Sequence, residues 1–244
     1  MVGEIRIGTS GWVYPEWRGG FYPAGLPQRL ELEHLAERVS SVELNGSFYS
    51  LRSPANYRSW ARRTPPGFVL AVKGHREVTH ARRLRGADAA VTAFFESGVL
   101  ELGAKLGPVL WQLPPSLPFD AARLDDFLAL LPPRPVRHAV EARHPSFADP
   151  AFPALLREHG VANVISDSAG TFPCFDDVTT DFAYVRLHGH EELYASAYSA
   201  AQLDGWAVRA RDLAEDGDVF VYFDNTMRGA APVNAMALAE RLSR

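Results

Sequence analysis

The chain is poor in cysteine. Cys174 is the only one among 244 residues, so no intramolecular disulfide can staple the fold and a reducing compartment suits it. It lies in Thr171-Phe172-Pro173-Cys174-Phe175 with no histidine nearby in sequence, which reads as a free structural thiol rather than a nucleophile. Long apolar runs are missing as well. No stretch is long enough to span a bilayer, and the start, Met1-Val2-Gly3-Glu4-Ile5-Arg6, lacks the cationic and apolar segments of a signal peptide. No membrane partner and a cytoplasmic location are therefore expected. Charge of one sign is also lacking. The formal net charge of −4 excludes a polyanion binder that works through its whole surface. The local run Arg82-Arg83-Leu84-Arg85 is basic, and its plainer reading is a solvated loop or helix start. There is no Gly-rich phosphate loop, no nucleotide fingerprint, no Ser-His-Asp order and no HExxH pattern to name a standard enzyme.

What is present is the composition of a globular protein, 47% hydrophobic and 22% charged, without an internal repeat, low-complexity tract or linker. Short β-branched runs alternate with helical stretches, the pattern of a parallel sheet built from βα units. Strands are expected at 4–9, 41–45, 68–73, 108–113, 137–142, 161–166, 182–188 and 218–224. Helices are expected at 28–38, from Ser53-Pro54 to before Pro65, over 87–106 with a break at Gly98 or Gly103, and from the Asp120 cap to before Pro132. Others run from Asp149-Pro150 to Gly160, from the Ser199 cap over 200–216, and from Ala231-Pro232 to Leu242. An irregular segment, 170–181, stands where one more helix would be, and Trp12, Tyr14, Trp17, Phe21 and Tyr22 make an aromatic lid-like loop. Eight strands separated mostly by helices favour a closed TIM-like (β/α)8 barrel, α/β in class, with residues 1–244 forming one domain.

The stretch Tyr184-Val185-Arg186-Leu187-His188-Gly189 organises the functional reading. With period two, Val185 and Leu187 share one face while Tyr184, Arg186 and His188 share the other, and a buried guanidinium and imidazole need partners. Other polar residues fall at the C-terminal ends of strands: Glu43 and Asn45, Lys73, Gln112, Glu141 and Arg143, Asp167, and Asn225. In a barrel those ends converge on one mouth, where active sites of this architecture are built. Each residue also has a plainer reading. Glu141, Arg143 and Arg186 would serve equally as a structural ion network, and His188 as a hydrogen-bonded core histidine.

The sequence resembles the YecE-like family of uncharacterised proteins, domain of unknown function seventy-two. The resemblance is carried by Ile7-Gly8-Thr9-Ser10-Gly11-Trp12, Val42-Glu43-Leu44-Asn45 with Ser47-Phe48-Tyr49, and Phe68-Val69-Leu70-Ala71-Val72-Lys73. It continues through Leu110-Trp111-Gln112-Leu113-Pro114-Pro115, Val140-Glu141-Ala142-Arg143-His144, Ser166-Asp167, the Tyr184–Gly189 stretch and Val221-Tyr222-Phe223-Asp224-Asn225-Thr226. One departure is Phe147, where the family often has a tryptophan. The resemblance implies a TIM-like barrel and no established activity.

Two classes of function stay open. The first is an enzyme using carboxylate and imidazole acid–base chemistry on a small polar anion or phosphoester, a hydrolase or a lyase- or isomerase-type catalyst. Its catalytic candidates are Glu43, Glu141, His188 and Lys73. Arg143 and Arg186 would hold the anion, Trp12, Tyr49 and Trp111 would stack on substrate, and Thr9, Asn45, Gln112, Asp167 and Asn225 would line the site. No cofactor is required, although Glu43, Glu141, Asp167 and His188 would suit a divalent metal and metal-assisted hydrolysis. Lys73, Arg143 and Arg186 favour the metal-free form, because they neutralise the carboxylates themselves. The second class is a metabolite- or single-stranded nucleic-acid-binding protein without turnover, using the aromatic loop and the basic run.

Overall fold

A computed structural model of the chain describes residues 2–243. Among them, eight parallel strands close into a barrel in chain order: β1 (Ile5–Ser10), β2 (Ser41–Leu44), β3 (Val69–Lys73), β4 (Leu106–Gln112), β5 (His138–Glu141), β6 (Ala162–Asp167), β7 (Phe182–Leu187) and β8 (Asp218–Phe223). β8 returns to β1, with Ile7 opposite Val221 and Thr9 opposite Phe223. Around the barrel run α1 (Glu31–Ala36), the single turn α2 (Gly46–Tyr49), α3 (Pro54–Arg63), α4 (Asp88–Glu96), α5 (Ala121–Leu128), α6 (Ala151–Glu158), α7 (Ala200–Ala214) and α8 (Ala230–Leu242). The TIM-like barrel is the observed fold.

Strand alternation divides the interior into two cores. Outward-facing Val42, Leu44, Val140, Ile165, Val185 and Leu187 pack against the helices. Inward-facing Ala71, Leu110, Ala139, Val164, Tyr184 and Tyr222 fill the barrel. Both faces of each strand are thus buried, as a helix-covered parallel sheet demands. The inward series changes character one pleat further on, at the C-terminal ends. Ser41 is followed by Glu43, Ala71 by Lys73, Leu110 by Gln112, Ala139 by Glu141, Tyr184 by Arg186, and Tyr222 by Asp224. The apolar plug therefore ends in a polar layer beneath the mouth.

The expected caps are present: Asp120 accepts from the Arg123 amide at 3.1 Å, and Ser199 with Gln202 forms a capping box on α7. Two helical stretches divide. Residues 28–38 are a 3-10 turn followed by the short α1, and 87–106 splits after α4, where Gly98 adopts φ 112°. The loop after β3 contains a π-helical turn, Glu77–Ala81, which carries His80 to the mouth. The segment 170–181 is irregular, as expected. No helix of the described residues is long and apolar enough to cross a membrane.

Candidate active site at the barrel mouth

Arg186 is the hub of the polar layer. Fully buried on β7, it cannot be left without partners, and its donors are distributed over three strands. Nε donates to Glu43 Oε2 at 3.0 Å and Nη2 to Glu43 Oε1 at 2.8 Å, a two-pronged grip. Nη1 donates to Glu141 Oε2 at 2.8 Å, and Nη2 also reaches Ser10 Oγ at 2.8 Å and Asp224 Oδ2 at 3.3 Å. Tyr184, directly beneath, donates its hydroxyl to Glu43 Oε2 at 2.7 Å, and Ser10 donates to Glu43 Oε1. His188 closes the ring, with Nδ1 2.8 Å from Asp224 Oδ2 and Nε2 3.2 Å from Glu141 Oε1. Arg143 completes it by donating through Nε to Glu141 Oε1 at 2.8 Å.

The network sets the protonation of its members. Burial alone would raise the Glu141 carboxyl, but the Arg143 and Arg186 guanidiniums outweigh it and hold the group well below the usual carboxylate range. Burial is likewise outweighed at Asp224, first by Arg186 and then by His188, so that carboxyl too is held low.

Above the ring lies a cavity of about 600 Å³, within the range of small-molecule sites. Its wall carries Lys73, Arg76, Arg143 and Arg186, against Asp224 as the one carboxylate of the described lining. Lys73 differs from the rest. Its ammonium sits 4.5 Å from the centre of the Phe48 ring, with no ion pair or hydrogen bond among the described residues. Burial, reinforced by the Arg186 charge, pulls Lys73 down to about 8 against the opposing pull of Glu43, Glu141 and Asp224. Burial and the Lys73 charge bring His80 down to about 4, leaving a neutral imidazole at the rim at pH 7. Tyr14 and Tyr194 add hydroxyls; Tyr194 accepts from Arg143 Nη1 at 2.9 Å.

The structure brings together Glu43, Lys73, Glu141, Arg143, Arg186 and His188, but in two tiers. Lys73, Arg143 and Arg186 line the cavity, with Asn45, Tyr49 and Gln112 beside them. Glu43, Glu141 and His188 lie beneath, almost wholly buried, with both carboxylate oxygens and both ring nitrogens engaged. Of the four catalytic candidates, only Lys73 lines the cavity.

Four expected lining residues are elsewhere, for one reason. Thr9, Trp111, Asp167 and Asn225 have the outward parity of their strands. Thr9 bonds back to the Gly11 carbonyl at 2.7 Å, and Trp111 packs between Phe94 and Phe127 in the outer core. Asp167 pairs with His190 at 3.0 Å and lines a separate cavity with Cys174 and Trp206. Asn225 is fully buried against Ser196 and Asn234. Trp12 meets Trp60 edge-on, 5.9 Å between centres, and lines a neighbouring cavity that shares Asn45 with the one above the ring. The metal set Glu43, Glu141, Asp167 and His188 therefore does not assemble, and no group of three or more His, Cys, Asp or Glu among the described residues is arranged to hold a metal ion. In the aromatic loop, Trp17 and Tyr22 are fully buried, which removes two of the rings on which stacking with bases was expected.

The reading of the sequence passed over Asp224, although its signal was there. Phe220, Tyr222 and Asp224 alternate on one face, and the same parity that selects Arg186 and His188 selects Asp224 rather than Asn225. Tyr14, Tyr194, Arg76 and His80 come from loops, and no periodicity marks them.

Comparison with known proteins agrees with the fold. A family model described as "Protein of unknown function DUF72" matches residues 6–244. The UPF0759 protein YecE of Escherichia coli (strain K12) is 30% identical over 171 residues, which span 67% of this chain and 59% of that protein's length. A DUF72 family protein from Thermotoga maritima MSB8 superposes with a TM-score of 0.88 at 28% identity, covering 99% of this chain and 100% of the other. A second, from Enterococcus faecalis V583, does so at 0.84 and 19% identity, covering 98% and 96%.

Proposed function

The chain belongs to the DUF72 family, and from that premise and the geometry of the mouth we propose that it is an enzyme acting by acid–base chemistry on a small anionic substrate. The observation that carries this reading is the unpaired Lys73 ammonium on a cavity wall rich in guanidinium groups, while the carboxylates Glu43 and Glu141 are sealed behind Arg186. An ammonium left without a carboxylate in a partly dry site is one that a ligand can complete. Arg76 and Arg143 supply further donors for phosphate or carboxylate groups. Lys73, with its ammonium lowered to about 8, is poised to give or take a proton near neutral pH. Asp224 turns its second oxygen, Oδ1, to no protein partner among the described residues and can accept a hydrogen bond from the substrate.

Arg186 is a positioning residue rather than the main anion binder, since its partners leave only one of its five N–H donors, on Nη1, for a ligand. The same engagement of Glu43, Glu141 and Asp224 by guanidinium groups speaks for proton transfer without a bound metal.

Anionic metabolites that raise the melting temperature above matched ionic strength in potassium chloride identify ligands. Those ligands, incubated with the protein in deuterium oxide and followed by proton NMR, should lose a carbon-bound proton signal to solvent exchange. Stabilisation without exchange would favour the binding protein without turnover. No stabilisation by any phosphate- or carboxylate-bearing compound would overturn the reading.

A further inference from the structure

Lysine is nearly absent from this chain: of 25 lysines and arginines, only Lys73 and Lys105 are lysine. The two are used in opposite ways. Lys105 gives its ammonium to protein acceptors, Ala61 O at 2.7 Å and Thr64 Oγ1 at 3.0 Å, and so ties α3 to the start of β4. Lys73 gives its ammonium to none and presents it to the cavity over the face of Phe48. Arginine clamps anions at least as well as lysine and offers more donors, and this mouth already holds three guanidiniums. What lysine can do there and arginine cannot is lose its proton and attack carbon.

We propose that Lys73 is a nucleophile that forms an imine with a substrate carrying both a carbonyl group and an anionic group, the anion being held by Arg76 and Arg143. The inference rests on the acid–base reading above and narrows its substrate to anionic aldehydes and ketones.

The step balances without any oxidant or reductant. The neutral Nζ adds its lone pair to the carbonyl carbon. The carbonyl oxygen takes a proton and becomes the hydroxyl of a carbinolamine. That hydroxyl then leaves as water, so both nitrogen protons and the carbonyl oxygen depart together and a C=N bond remains. Several features of the site favour this sequence. The ammonium has no salt bridge to break before it deprotonates. Burial and Arg186 bring it to about 8, so roughly a tenth is neutral amine at pH 7. The cavity opens to solvent, which can receive the departing proton. His80 is neutral and adds no further positive charge to a wall that already carries Arg76, Arg143 and Arg186.

Two carbonyl probes test this on the intact chain, each with borohydride to reduce the imine and peptide mapping to find it. Pyridoxal 5′-phosphate carries a phosphate, and pyruvate carries a carboxylate. The expected result is a stable adduct on Lys73 and not on Lys105 with at least one probe, which also tells which anion the site prefers. Pyridoxal without its phosphate should label Lys73 at least about tenfold more slowly, the loss of one charge-assisted contact. In Lys73→Met the adduct should vanish.

The aldehyde-free pyridoxine 5′-phosphate and lactate separate the two readings. If either stabilises the protein in a melt while neither carbonyl probe modifies Lys73, the imine is overturned and the acid–base reading survives. Labelling of Lys105 or the terminal amine at the same rate as Lys73, or labelling indifferent to the anionic group, would also overturn the imine. If no anion binds, both readings fall.

Discussion

Arg186 and Glu43 meet as a two-pronged pair inside the barrel, with contacts of 3.0 and 2.8 Å and both side chains out of solvent. Such a pair holds its site together more than it stabilises the fold, because desolvating two charges offsets much of their attraction. Its loss on one side is a different matter.

Arg186→Met should therefore be severe. It leaves Glu43, Glu141 and Asp224 with no shared cation, and breaking a buried pair costs about 3–5 kcal/mol. Urea unfolding should show the loss as a lower midpoint. Arg186→Lys should recover little of it, because one ammonium cannot span three carboxylates.

Acid should unfold the protein through the same ring. Glu141 and Asp224 are held below their unfolded values, so the unfolded chain binds protons first as pH falls. Their contribution is fully present above the unfolded values of about 4 and is lost progressively below them. Stability measured by urea should be flat from neutrality to about pH 5 and fall steeply below pH 4. A flat profile down to pH 3 would contradict the charge assignment.

Lys73 shows the same sign of linkage in an alkaline window, as a penalty relieved rather than a contribution lost. Its ammonium is lowered to about 8, so between that pH and its unfolded value of about 10.4 the unfolded chain holds a proton that the folded chain has released. Stability from this group rises with pH across that window. Lys73→Met should be more stable than the wild type at pH 7, and its advantage should shrink as pH approaches 10. Parallel urea titrations of both proteins read the difference directly.

Barrel closure depends on Gly8. A Cβ there would lie 1.9 Å from the Ser41 carbonyl oxygen on β2, a backbone atom that cannot move aside without parting the strands. Gly8→Ala should cost more than the roughly 1–3 kcal/mol of ordinary overpacking, read as a lower urea midpoint. Gly67→Ala, where nothing lies within 4 Å but φ is +76°, should cost about 1 kcal/mol from the backbone alone.

The strand and helix order was legible in the chain, because apolar runs bounded by proline, glycine and capping residues have only a few ways to bury both faces of a parallel sheet. The convergence of Glu43, Lys73, Glu141 and Arg186 was legible for the same reason: strand ends in a barrel share a mouth. The period-two rule would also have removed Thr9, Trp111, Asp167 and Asn225 and admitted Asp224. Tertiary structure alone decided which of the converging charges face a ligand. Glu43, Glu141 and Lys73 stand at equivalent ends of their strands. Three-dimensional proximity gives both carboxylates to Arg186 and leaves the ammonium unclaimed, and which charges neutralise one another depends on distances across the barrel that sequence spacing does not encode.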